Sequence, residues 1–179
     1  MPDTTCPNCG EEFRPIDFGY ELVVRDIPGT MFQKIRNIGS DNVNRFLICS
    51  PYLSNVEFHG WRNLVSEIGG NDNALIKLLT RPPKTMQVSD TLKHKDMIDF
   101  FQNVNTRIFY LQWLHAKIFV IDAGESSFAV LGSANLTGAA GTLNTEAAIF
   151  VNDLDQVDEV ERTFNMIEQA TTPLEYWQK

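Results

Sequence analysis

The sequence is poor in the residues that staple small secreted folds or build metal centres. It holds only three cysteines, Cys6, Cys9 and Cys49. An odd and small count rules out a disulfide framework and fits free thiols in a reducing compartment. No apolar run approaches the roughly eighteen residues needed to cross a bilayer, so no membrane anchor is expected. The first residues, Met-Pro-Asp-Thr-Thr-Cys, lack the basic start and apolar core of a signal peptide. The expectation is a cytoplasmic protein. Excess positive charge is also missing: the formal net charge is -8, which at first argues against a nucleic-acid partner. Histidine is scarce as well, with His59, His94 and His115 alone. Any imidazole chemistry must come from these.

What is present is a soluble globular composition, 43% hydrophobic and 21% charged over 179 residues. That length fits one compact domain with a real core. The charge is segregated. From Ile76 to Lys95 stand Lys77, Arg81, Lys84, Lys93 and Lys95 against the single acid Asp90, whereas the acidic excess lies mostly beyond Thr145. A local basic surface is therefore compatible with the negative total. Arg81, Lys84, Lys93 and Lys95 are candidates for substrate phosphate binding, with a solvated mixed surface as the alternative. Near the start, Cys6-Pro-Asn-Cys9-Gly has the form of half a zinc knuckle. A structural zinc site takes four ligands, and no second pair follows. Three readings of Cys6 and Cys9 stay open: a disordered remnant, a structural zinc shared between two chains, or a truncated zinc ribbon. Residues 1–19 are read as this knuckle and a linker, and 20–179 as the catalytic domain.

Strand and helix patterns alternate through that domain. Strands are expected at Glu21–Arg25, Phe46–Cys49, Leu75–Thr80, Arg107–Leu111, Leu114–Asp122, Phe128–Leu131 and Glu146–Val151. Pro28-Gly29 is read as a break, with Thr30 capping a helix from Met31 to Ile38. Ser54 is read as starting a helix to Ile68, Ser89 one to Asn103, and Asp153 the last. This order predicts an α/β fold, a mixed sheet sandwiched between helix layers. His59 falls inside a predicted helix and His94 between two lysines, and both are read as structural or surface residues.

His115 remains. His115 and Lys117 are two apart and share a face of an extended strand. Ile118-Phe119-Val120-Ile121 is apolar, as a buried strand is. Then come Asp122, the small polar turn Gly132-Ser133-Ala134-Asn135, and Glu146. An imidazole that can attack or shuttle a proton, a fixed cation and small donors that can hold developing negative charge suit a phosphate ester. This set resembles the signature of the phospholipase D superfamily: His-x-Lys, four residues, Asp, then Gly-Ser-x-Asn. It departs in one respect. Nine residues separate Asp122 from Gly132, where the usual pattern has about six. The excess falls in Ala123-Gly124-Glu125-Ser126-Ser127, a predicted hairpin turn that tolerates length change.

The resemblance implies a phospholipase D-like fold and phosphodiesterase chemistry. It implies roles for His115, Lys117, Ser133 and Asn135 at phosphorus. Glu146 would orient an imidazole through its Nδ1 hydrogen, and Asp122 would fix the strand–turn geometry. In-line displacement needs a nucleophile on one side of phosphorus and a proton donor on the other. One motif in one short chain therefore implies a homodimer with a composite site, two lysines serving where a metal otherwise would. Catalysis is thus expected to need no cofactor. The expected activity is that of an endonuclease on DNA rather than RNA, in a restriction or phage-defence system and within a larger defence or helicase complex. Alternatives are a phospholipase or phosphatidyltransferase, and a non-catalytic dimerisation or binding module of the same fold.

Overall fold

The structure, a computed structural model, describes residues 20–56, 58–86, 88–142 and 144–173. Cys6 and Cys9 lie outside them. Eight strands form one sheet: β1 (Tyr20–Val24), β2 (Arg45–Cys49), β3 (Leu75–Thr80), β4 (Thr106–Tyr110), β5 (Ile118–Asp122), β6 (Phe128–Gly132), β7 (Ala147–Val151) and β8 (Thr172–Pro173). Their order is β1-β7-β6-β5-β2-β3-β4-β8. Strands β2, β3 and β4 run parallel; the other pairings are antiparallel. The helices are α1 (Ile27–Ile38), α2 (Trp61–Gly70), α3 (Val88–Asn103), α4 (Gly138–Thr142) and α5 (Leu154–Gln169).

Alternation along the strands sends residues to two cores. Phe46 and Ile48, Phe119 and Ile121, and Phe128 and Val130 join the core that contains Phe32, Trp61 and Phe101 from α1, α2 and α3. Leu47 and Cys49, Ile118 and Val120, and Ala129 face Val157, Val160 and Phe164 of α5. This is the expected mixed sheet between helix layers.

The register decides where the site can be. Cys49 pairs with Ile118, Ile118 with Leu131 and Gly132 with Ala148. The ends of β2, β3 and β6 and the starts of β5 and β7 therefore share one end of the sheet. Ligands in open α/β sheets bind at the carboxyl ends of parallel strands. Residues before β5, after β6 and before β7 are delivered to that end together.

Several element boundaries differ from expectation. Helix α1 begins at Ile27, because Pro28 is tolerated in a first helical turn and the Asp26 carboxylate accepts from Gly29 N. Helix α2 begins at Trp61, after Gly60 at φ 78°. Residues 54–56 and 58–60 are not helical: Leu53 bridges to Leu136 and Ser54 N donates to Leu136 O. His59 consequently lies in the turn ahead of α2, where it is exposed. Helix α4 and strand β8 have no counterpart in the expected set.

Candidate active site

His115 and Lys117 lie in the extended segment immediately before β5 rather than within the strand. They still share a side. Lys117 Nζ donates to His115 Nδ1 at 2.7 Å and to the His115 carbonyl at 2.6 Å. An imidazole that accepts at Nδ1 carries its proton at Nε2. His115 is exposed while Lys117 is buried beneath it. Burial lowers the Lys117 pKa and Arg81 lowers it further, while Glu146 and Cys49 act in the opposite sense. Cys49 itself is fully buried, and that burial pushes its thiol up to about 12, against the pull of Lys117.

Arg81 follows the last residue of β3. Its Nε donates to Leu114 O at 2.7 Å and its Nη1 to Tyr52 Oη at 2.9 Å. The guanidinium also lies 5.2 Å from the Tyr52 ring centroid. His94 holds this corner from inside. Its Nδ1 accepts from Leu53 N at 3.1 Å and its Nε2 donates to Arg81 O at 2.9 Å. At 1% exposure, burial pulls its pKa down to about 4 against the opposing Arg81 carbonyl. It is a neutral structural imidazole.

The motif turn is set by close packing. A Cβ on Gly132 would meet Ala147 O at 2.4 Å, so only glycine lets β6 lie this close to β7. Ser133 N then donates to Ala147 O at 3.0 Å, and Ser133 Oγ donates to Glu146 Oε2. Asn144 Nδ2 donates to Glu146 Oε1 at 3.1 Å. Within one chain both Glu146 oxygens are thus engaged by Ser133 and Asn144, while His115 Nδ1 faces Lys117. Asn135 Oδ1 is enclosed and has no hydrogen-bond partner. Such an acceptor costs about 1–3 kcal/mol until something donates to it.

Asp122 is not part of this group. It pairs with Arg45 at the opposite end of β5, and Arg45 Nε donates to it at 2.7 Å. Arg45 also pairs with Glu161, while Gly124 N and Ser127 Oγ donate to Asp122 Oδ1. Of the candidate catalytic residues it is the one placed away from the site: its carboxylate ties a strand end to the following turn and, through Arg45, to α5. Among the candidate phosphate binders, Arg81 reaches the site. Lys93 lines a cleft with Asn135. Lys84 is exposed in the short turn Pro83–Thr85, and Lys95 is exposed on α3 without lining that cleft. Lys77, the remaining base of that run, pairs with Glu168 at 2.8 Å. Tyr52 and Asn144 escaped sequence reasoning, because their roles arise from contacts with residues on other elements. Trp113, two residues before His115 and 79% exposed, also went unmarked. Among the described residues no cluster of three or more His, Cys, Asp or Glu is placed to hold a metal, and no helix is long and apolar enough to cross a membrane.

The end of the sheet therefore gathers an exposed imidazole, a buried ammonium, a guanidinium, a hydroxyl and an unpaired amide. Arg81 lowers the Lys117 pKa, and an anion between the two cations relieves that repulsion. Comparisons with known structures bear on the fold. The fold is similar to that of a phospholipase D family member, Nuc from Salmonella typhimurium, with a TM-score of 0.60 at 13% identity, over 86% of this chain and 97% of that one. It is similar to phosphatidylserine synthase from Haemophilus influenzae Rd KW20, with a TM-score of 0.61 at 14% identity, over 87% of this chain and 40% of that one. TrmBL2, an archaeal chromatin protein whose structure shows a novel mode of DNA binding, gives 0.53 at 16% identity, over 92% and 56%. No protein of curated function matches the chain in sequence. The family model described as the PLD-like domain of cardiolipin synthase matches residues 35–167, and the chain belongs to the phospholipase D-like family.

Proposed function

We propose that the protein is a phosphodiesterase acting on nucleic acid, DNA before RNA, through a phosphohistidine formed at a site shared by two copies. The family supports phosphodiester chemistry; the choice of substrate and the assembly are our reading. The observation that carries it is the Lys117–His115 contact at 2.7 Å at the sheet end where Arg81, Ser133 and Asn135 gather. His115 Nε2 of one copy attacks phosphorus, a P–N bond forms, and the P–O bond to the leaving group breaks. His115 of the second copy gives that oxygen its proton, then takes one from water as the P–N bond is hydrolysed. Lys117, Ser133 and Asn135 hold the non-bridging oxygens. An attacking Nε2 needs its proton moved to Nδ1, beside an acceptor. Within a chain Glu146 does not reach His115, so the imidazole it orients belongs to the second copy.

DNA is favoured by two features. Arg81 and Lys93 present cations at the sheet end, and a structurally similar protein, TrmBL2, is a DNA binder by its description. A phosphatidyltransferase activity is the second reading, favoured by the similarity to phosphatidylserine synthase. Substituting His115→Ala tests the chemistry. It removes nucleophile and acid together, and its side chain is exposed, so the fold should persist. Cleavage of bis(p-nitrophenyl) phosphate should fall by at least about a hundredfold with an unchanged circular dichroism spectrum. Substantial residual turnover would overturn the assignment.

A further inference from the structure

Beside the site lies a cleft of about 360 Å³, a size that small-molecule ligands occupy. Tyr52, Met86, Asp90, Lys93, Asn135 and Asn144 are among the residues that line it. It is tied to the reaction centre on two sides. Asn144 Nδ2 donates to Glu146, and Tyr52 Oη accepts from Arg81.

We propose that this cleft is a nucleoside subsite, taking one unpaired nucleotide next to the scissile phosphate. The proposal deepens the nuclease reading and rests on it. A base stacked within a duplex cannot enter a cleft beside the reaction centre without leaving the stack. The substrate is therefore single-stranded or frayed. The lining suits a base. The Tyr52 ring and the Met86 thioether offer flat and polarisable contacts. The Asp90 carboxylate on its wall is an acceptor, which matches ring N–H and exocyclic amino groups. Guanine, with two such donors side by side, fits a carboxylate best. Lys93 is placed for a neighbouring phosphate.

The same features disfavour a cationic lipid headgroup. The Arg81 guanidinium beside the Tyr52 ring and the Lys93 ammonium place two positive charges at the cleft.

Three diesters with the same p-nitrophenolate leaving group decide the matter: methyl p-nitrophenyl phosphate, the p-nitrophenyl ester of deoxyguanosine 5′-monophosphate, and p-nitrophenyl phosphorylcholine. The nucleoside ester should exceed the methyl ester in kcat/KM by about tenfold or more. Asp90→Ala, which removes an exposed side chain, and Ala139→Trp, which fills the cleft that Ala139 also lines, should each erase that advantage and leave the methyl ester rate in place. If Ala139→Trp does not fold, Asp90→Ala still decides. Equal rates for the methyl and nucleoside esters, or a preference for the choline ester, would overturn the proposal. Should none of the three turn over, the phosphodiesterase reading fails separately. Calorimetry with deoxyguanosine 5′-monophosphate then judges the cleft. Binding that Asp90→Ala weakens about tenfold supports it; absent or unchanged binding overturns it.

Discussion

At the scale of single residues, Lys117 carries competing influences. Burial lowers its pKa from the ordinary 10.5 and Arg81 does the same, while Glu146 raises it. Between the lowered value and 10.5 the unfolded chain binds more protons than the folded one, so stability rises with pH there. Activity should do the opposite, because the ammonium holds negative oxygen. The alkaline limb of kcat/KM for a small diester should therefore fall below the ordinary lysine range. Glu146→Gln removes a raising influence and should move that limb to lower pH; Arg81→Gln should move it up. A limb that ignores both changes would detach Lys117 from the reaction.

Asp122 makes the contrasting case. Burial pushes its carboxyl up, but the Arg45 hydrogen bond, Gly124 N–H and the Arg45 charge outweigh that and hold it below the ordinary value. A depressed carboxylate stabilises above the unfolded pKa, and that contribution is lost as pH falls through the folded value. Because Arg45 is 40% exposed, screening keeps the sum small. Asp122→Asn should cost about 1 kcal/mol at neutral pH and nothing in acid, read by denaturant titration. It should leave turnover of a small diester intact. A large loss of activity at unchanged stability would return Asp122 to the chemistry.

At the scale of elements, β1 and β7 carry exposed apolar residues on one sheet face among the described residues. Tyr20, Leu22 and Val24 alternate onto it, Leu22 is 64% exposed, and Ile149 opposite it is 41% exposed. Helix α5 packs on β5 and β6 with Val157, Val160 and Phe164 and shares a core cluster with Val151 of β7, while Leu22 and Ile149 stay exposed. The face adjoins the motif turn through the Ser133 N to Ala147 O bond. It is the surface on which a second copy completes the site in our reading. Leu22→Lys with Ile149→Lys should give a folded monomer by sedimentation, with activity down at least about a hundredfold. A fully active monomer would rule out the composite site.

The elements also show what the sequence disclosed. Strand β3 was legible to the residue, because a short apolar run between a turn and Arg81-Pro82-Pro83 has one reading. The cap at Asp153 was too, for the Asp153 carboxylate accepts from Gln156 N as a local signal requires. The start of α1 was hidden. It depends on positive φ at Arg25 and Asp26, which no local preference announces. Ser54 sits where a helix start is readable in sequence, yet it and Leu53 pair with Leu136, more than eighty residues away. The site divides along the same line. The motif residues are spaced by local strand geometry and could be read; Tyr52 and Asn144 enter only through the fold.

At the scale of the whole molecule, a net charge of -8 repels a polyanion, so binding must be local. Three cations stand at one end of the sheet: Lys117 and Arg81 at the reaction centre, and Lys93 at the cleft. Lys93 and Lys95 are two apart on α3, about 200° around the helix axis, and so face different directions. Of the two, only Lys93 lines the cleft. Lys93→Glu should weaken single-stranded DNA binding and lower the slope of log affinity against log salt by about one. Lys95→Glu should leave both near wild type, since the charge it reverses points elsewhere. Hydrolysis of methyl p-nitrophenyl phosphate, too small to reach Lys93, should be unchanged in both variants. Fluorescence anisotropy across a salt series measures the difference. Equal losses from the two reversals would mean that DNA responds to the net charge of the molecule, and would remove the cleft from its path.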